Sequence, residues 1–137
     1  MSNRHYRFCL LLGLALMMSL GRRVNRIHAD GGAVLRVSPV DQDIHPETTG
    51  SVAITGEDVV ELGGFEFDLV FDPALVQIDE VALGAFLESS GRNGSELGPV
   101  IDNVMGHVSY GAFTFGTQAG PSGVGTLAVV TFTTGAS

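Results

Sequence analysis

From Gly31 onward, apolar residues recur in short alternating stretches broken by glycine and proline, a pattern of many strands rather than of helices. Phe65, Phe67, Leu69 and Phe71 fall on every second position, with Glu66, Asp68 and Val70 between them. On a strand this period of two gives one buried and one exposed face; on a helix it gives no face at all. Ala33 to Val37 is a shorter strand closed by Ser38-Pro39, and Val52 and Ile54 mark the next, after a loop from His45 to Gly50. Asp72-Pro73-Ala74 turns the chain, because proline fixes φ at the second turn position. Val76 to Leu83 returns as a strand, with Val76 and Ile78 on one parity and Val81 and Leu83 on the other. That switch predicts a β-bulge near Asp79-Glu80. Gly84 to Pro99 is glycine-rich and polar at its centre and is predicted as a long surface loop, with Asn93-Gly94-Ser95 as a glycosylation acceptor inside it. Val100 to Val104 and His107 to Phe115 form two strands around a turn at Met105-Gly106. Gly116 to Gly125 is a second loop, and Thr126 to Thr133 a final buried strand. The expected fold is all-β, an antiparallel β-sandwich with Phe65, Phe67, Leu69, Phe71, Val76, Ile78 and Phe132 in its core.

The first 29 residues follow a different logic. Arg4 and Arg7 precede the apolar run Phe8 to Leu20, which is shorter than the roughly 20 residues a membrane-spanning helix needs. With Ala29 as the small residue at a cleavage point, residues 1–29 read as an export signal peptide or a short N-terminal anchor, and 30–137 as one domain. The protein is expected outside the cell or on its surface. Past Ala29 only Arg36 and Arg92 are basic, against fifteen acidic residues, so that part carries 2 − 15 = −13 and no lysine. Such a surface repels phosphate backbones and anionic headgroups, which argues against nucleic-acid binding and against membrane insertion of the mature domain. Cys9 lies inside the apolar run, so the domain has no disulfide and folds on apolar burial alone.

The stretch Leu62-Gly-Gly-Phe-Glu-Phe-Asp-Leu-Val-Phe-Asp-Pro-Ala-Leu-Val76 resembles the third and fourth strands of cohesin domains, where an alternating aromatic strand ends in an aromatic-Asp-Pro turn. Pro99-Val-Ile-Asp-Asn103 with Gly106-His-Val-Ser-Tyr-Gly-Ala-Phe113 is similar to the next hairpin of a glycine-rich branch of that family, and Gly123 to Phe132 to its penultimate strand. The resemblance implies a jelly-roll sandwich and a non-catalytic function: one sheet face docks a dockerin, the small calcium-loaded helical module carried by polysaccharide-degrading enzymes. In the family, the strand before the Asp-Pro turn supplies an Asn and an Asp two apart to that face. The matching positions here are Gly64, which has no side chain to bond with, and Glu66, which keeps an acceptor. A sandwich of this family ends in one further strand paired with the first. Residues 133–137 are too few for it, which implies a C-terminally truncated domain, or one that self-associates through the free edge of its first strand.

Glu66 and Asp68 alternate with the buried aromatics, so they either line a binding face or are simply solvated. Gly64, Glu66, Asp68, Tyr110 and Phe113 form the candidate partner-binding set. Phe113 and Phe115 share a parity opposite to Tyr110, so this strand puts aromatics both in the core and outside it, where one can anchor a partner or stack on a sugar. The partner is then a dockerin-like module or, as the alternative, a polysaccharide; a structural or adhesion spacer is the third reading. Sugar-binding faces favour flat aromatic rows, and the chain has no tryptophan, which favours protein. Asp41, Asp43 and Glu47 are a weak calcium candidate lacking the glycine and terminal glutamate of an EF-hand loop; no other cofactor is expected. His45 and His107 have no His or Cys beside them in sequence, which argues against zinc. No nucleophile elbow, phosphate loop or paired-carboxylate cleft stands out, so no enzymatic activity is expected.

Overall fold

The computed structural model describes residues 6–7 and 32–135, none of them helical. The residues read as a signal peptide or anchor lie outside the described part except for Tyr6 and Arg7. The strands are β1 (Tyr6–Arg7), β2 (Val34–Ser38), β3 (Asp43–Ile44), β4 (Thr49–Val59), β5 (Gly64–Val70), β6 (Val76–Leu83), β7 (Asn93–Asp102), β8 (His107–Phe115) and β9 (Gly123–Thr134). A four-stranded sheet, β2-β4-β9-β6, packs on a three-stranded sheet, β5-β8-β7, and β1 pairs with β3 in a small separate ladder. Every pairing is antiparallel.

The alternation along β5 becomes the inner face of the smaller sheet. Phe65, Phe67, Leu69 and the following Phe71 are buried, as are Val76, Ile78 and Phe132 opposite them. Val108, Tyr110 and Ala112 of β8 extend the same layer. The rings of Phe65 and Phe67 stack at 6.4 Å, and Tyr110 tilts against Phe67 at 5.8 Å. Two sheets about 10 Å apart leave room for one layer of interdigitated side chains, and these aromatics fill it.

The bulge predicted in β6 is present. The register passes from Ile78↔Phe132 to Glu80↔Thr131, leaving Asp79 unpaired. The extra residue returns Val81 to the core side despite its sequence parity. Beside the bulge, Asn103 behaves like a fragment of a neighbouring strand: its Oδ1 accepts from the Ile78 N–H at 2.8 Å, and its Nδ2 donates to the Ile78 carbonyl at 3.0 Å. One side-chain amide thus closes the sandwich between β6 and the β7–β8 turn.

Three boundaries differ from expectation. Residues 93–99, expected inside a loop, form the first part of β7. This strand pairs only with β8 and breaks its register between Leu97 and Val100, at Gly98-Pro99, so no period of two survives in its sequence. Asn93-Gly94-Ser95 therefore opens an edge strand rather than marking a loop. At the other end β7 stops at Asp102, whose carboxylate accepts the amides of Val104 and Met105 at 2.9 Å and bends the chain toward β8. Thr49–Gly50 and Gly123–Gly125 belong to strands β4 and β9, because pairing with long neighbours extends both beyond their apolar cores.

Two stability measurements check this packing. Phe67 is wholly buried, so Phe67→Ala should cost about 3–5 kcal/mol in equilibrium denaturation, whereas a loss under about 1 kcal/mol would place it outside the core. Asn103→Ala should cost about 1–3 kcal/mol, since it strands the Ile78 N–H and carbonyl at a partly buried edge.

Candidate binding face

The side chains of β5 that do not enter the core lie on the outer surface of the three-stranded sheet. The register sets them in rows across β5, β8 and β7: Gly64–Phe113–Ser95, Glu66–Gly111–Leu97, Asp68–Ser109–Val100 and Val70–His107–Asp102. Along the centre β8 contributes only Ser109 and Gly111, between Phe113 at one end and His107 at the other. Glu66 and Asp68 rise on one side of this floor. On the other side stand Leu97 and Val100, 55% and 64% exposed. The result is a shallow trough with one acidic wall and one apolar wall. Phe113 and Phe115, 42% and 55% exposed, extend the apolar side beyond the row of Gly64.

Two glycines shape the trough by what they leave out. A Cβ on Gly64 would come within 3.0 Å of both the Ala112 carbonyl and the Cβ of Phe113. A Cβ on Gly111 would come within 2.9 Å of the Phe65 carbonyl. The backbone of the neighbouring strand takes the space a side chain would need. The matched position at Gly64 is therefore closed to an asparagine, and Phe113 occupies that end of the face instead.

Electrostatically the face has little to oppose its acids. The two basic residues past Ala29 are engaged elsewhere: Arg36 pairs with Glu57 at 2.7 Å, and Arg92 donates to Thr114 Oγ1 at 2.9 Å and to the carbonyls of Thr114, Gly116 and Gln118. The basic group that touches the acidic wall is the imidazole of His107, with Nε2 3.2 Å from Asp68 Oδ1.

Of the five candidate residues, the structure brings Gly64, Glu66, Asp68 and Phe113 together on this face and removes Tyr110. Tyr110 points inward and is 1% exposed, with its ring against Phe65 and Phe67. It belongs to the core because β8 alternates without a bulge, and the parity that exposes Phe113 buries Tyr110. Its hydroxyl donates to Glu96 Oε2 at 2.7 Å, which explains why an otherwise exposed acid of β7 leans over the sandwich rim. Leu97, Val100 and Phe115 were missed as members of the face. The alternation of Phe113 and Phe115 was a usable signal, whereas the Gly98-Pro99 bulge hid the shared face of Leu97 and Val100. Asp41, Asp43 and Glu47 are all exposed, and no group of three metal-ligating side chains is assembled among the described residues, so the calcium candidate is not gathered into a site.

No family model matches the sequence, and no curated protein matches it. Solved structures do match the fold. A chain of the type II cohesin–X–dockerin complex of Acetivibrio cellulolyticus, an N-terminal interface mutant, superposes with a TM-score of 0.59 at 12% identity, covering 73% of this chain and 68% of that one. The type II cohesin A11 of Bacteroides cellulosolvens gives 0.61 at 13% identity, over 76% and 69%. A type II cohesin domain from the cellulosome of Acetivibrio cellulolyticus gives 0.55 at 17% identity, over 67% and 62%. The fold is cohesin-like, an all-β sandwich of the kind seen in these type II domains.

The Tyr110 phenol gives the packing behind the face a pH signature. Burial, and then the hydrogen bond to Glu96 with its negative charge, raise its pKa well above the ordinary value of about 10. A proton held more tightly in the folded state stabilises the fold fully below the unfolded value and progressively less as pH rises past it. The denaturation midpoint should therefore fall as pH is raised above about 10. Tyr110→Phe should flatten that fall while changing stability at pH 7 by less than about 1.5 kcal/mol, since Glu96 stays solvated. An unaltered alkaline slope in the variant would assign the loss to other groups.

Proposed function

We propose that this chain is a secreted or cell-surface, non-catalytic binding module of cohesin type, whose trough on the β5-β8-β7 sheet docks a helical dockerin-like module of polysaccharide-degrading machinery. The observation that carries this reading is the two-sided trough. From β5 to β7 is two strand spacings, about 10 Å, which matches the diameter of an α-helix with its side chains. A helix lying along β8 would meet Glu66 and Asp68 on one flank and Leu97 and Val100 on the other. An amphipathic helix with a basic and an apolar stripe complements both walls. The cohesin-like fold supports the same reading, and one of the structures it matches is a cohesin complexed with an X-dockerin. The arginine-flanked apolar run at residues 8–20 supports export.

Carbohydrate binding is the second reading, favoured by the exposure of Phe113 and Phe115 on one face. Against it, the domain's one tyrosine is turned into the core and the neighbouring wall is aliphatic.

The two readings separate in a binding assay of the protein against calcium-loaded dockerin modules and insoluble polysaccharides side by side. Saturable dockerin binding is expected, and the double variant Glu66→Lys/Asp68→Lys should weaken it by about tenfold or more. Asp41→Lys/Asp43→Lys should change it by less than about twofold, and both variants should keep a melting temperature within a few degrees of the parent. Equal losses in the two variants would indicate nonspecific charge attraction. Retention on polysaccharide without dockerin binding would favour the sugar reading.

A further inference from the structure

The three-stranded sheet is one strand shorter than the sheet it covers, and the vacancy lies beside β5. Asn103 joins β6 to the turn after β7, so those two strands share one side of the sandwich. The order of the sheets then sets β8 over β9 and β5 over β4, with nothing over β2. Ala33, Leu35 and Val37 of this uncovered region pack against the core but remain only partly buried.

The free edge of β5 is chemically specific. Thr114 N–H donates to the Gly63 carbonyl at 2.8 Å, and Phe71 N–H to the Gly106 carbonyl at 2.9 Å. Both bonds continue the β5–β8 register, so the odd-numbered residues of β5 turn their backbone groups toward β8. The N–H and carbonyl groups of Gly64, Glu66, Asp68 and Val70 therefore point out of the sheet, and among the described residues none of these groups is bonded outside the strand ladder. The other outer strands are blunted: β7 by its bulge at Gly98-Pro99, β6 by Asn103, and β2 by its five-residue length and Pro39. β5 runs seven residues with no proline and no register break. An edge of that kind is a template for another strand.

Charge selects what can pair there. In any two-fold pairing of β5 with a second copy that overlaps more than half its length, Glu66 meets Glu66, Asp68 meets Asp68, or the two meet each other. Like charges directly opposite are destabilising, so the edge is guarded against the chain itself. We propose that the β5 edge is a second binding site that accepts an extended partner segment as a fourth strand, with basic side chains alternating with apolar ones. The basic side chains would lie beside Glu66 and Asp68 on the outer face, and the apolar ones would cover Leu35 and Val37. Main-chain bonds would supply the pairing, and alternate side chains the selectivity. This site is the strand's edge and not the trough, and its occupation does not require a dockerin-like partner.

The test is residue-resolved amide exchange on the protein with a nine-residue peptide of alternating valine and lysine, and with its valine–glutamate counterpart. The valine–lysine peptide should slow exchange at Glu66, Asp68 and Val70 by about tenfold or more and bind at least about tenfold more tightly than the acidic peptide. Asp68→Pro removes one outward N–H without touching a bond to β8, and should abolish the protection while the thermal melt still reports a folded sandwich. Glu66→Lys/Asp68→Lys should reverse the peptide preference. The proposal is overturned if these amides are already protected in the monomeric protein alone, if protection appears on β2 or β7 instead, or if the two peptides bind equally. Self-association that protects the same amides would overturn the charge argument.

Discussion

The packing of Phe65 and Phe67 against Tyr110 is the interaction on which the rest of the sandwich depends. These rings occupy the layer between the sheets and fix which residues of β5 and β8 face inward. Because strand side chains alternate, burying the odd residues of β5 commits Glu66 and Asp68 to the outer surface. Because backbone hydrogen bonds also alternate, the same register sends their amides to the free edge. A slip of one residue would bury two carboxylates and expose the aromatics, so the burial that stabilises the core also holds the acidic wall in place. Core and surface are two readings of one register.

Much of that register was legible in the sequence, because β5 and β6 are long enough for their period to show. The bulge at Asp79 was visible as a broken parity, and the inward set Phe65, Phe67, Leu69, Phe71, Val76, Ile78 and Phe132 followed directly. What stayed hidden depends on tertiary pairing. In β7 the residues 93–99 carry no alternation, since one side of the strand is solvent, Glu96 reaches a phenol, and Gly98-Pro99 shifts the phase. Composition there resembles a loop, and only the ladder to β8 makes it a strand. Tyr110 illustrates a different limit: parity separated it from Phe113 but did not say which of the two faced inward. The depth of the core decided that, by placing a partly polar ring where its hydroxyl reaches Glu96 at the rim.

The two sides of the sandwich are closed by different means. On the β6–β7 side a single amide, Asn103, satisfies the one strand position that the bulge leaves open. On the β2–β5 side the described residues offer no comparable group, and the apolar side chains of β2 stay partly exposed. Acidic residues restrain that side electrostatically rather than sterically, so its protection depends on ionic strength, whereas a proline or bulge would protect under any condition.

Magnitudes indicate how the two walls of the trough divide the work. A solvent-exposed ion pair contributes between about 0 and 1 kcal/mol, so Glu66 and Asp68 chiefly steer and orient a cationic partner. Burying a valine, leucine or phenylalanine side chain completely is worth about 1.5–3 kcal/mol. Leu97, Val100 and Phe113 already hide part of their surface, so each retains a fraction of that. Even half of it, summed over three side chains, outweighs the two carboxylates. The loss of a polar side chain at Gly64 fits this division. With the Ala112 carbonyl and Phe113 occupying the space above it, that end of the face recognises by shape and apolar contact, and the hydrogen-bonding part of recognition falls to Glu66 and Asp68. Fold and specificity are therefore separable in this chain. The inward residues maintain a cohesin-like sandwich at 12–17% identity, while the outward ones are free to define a different partner.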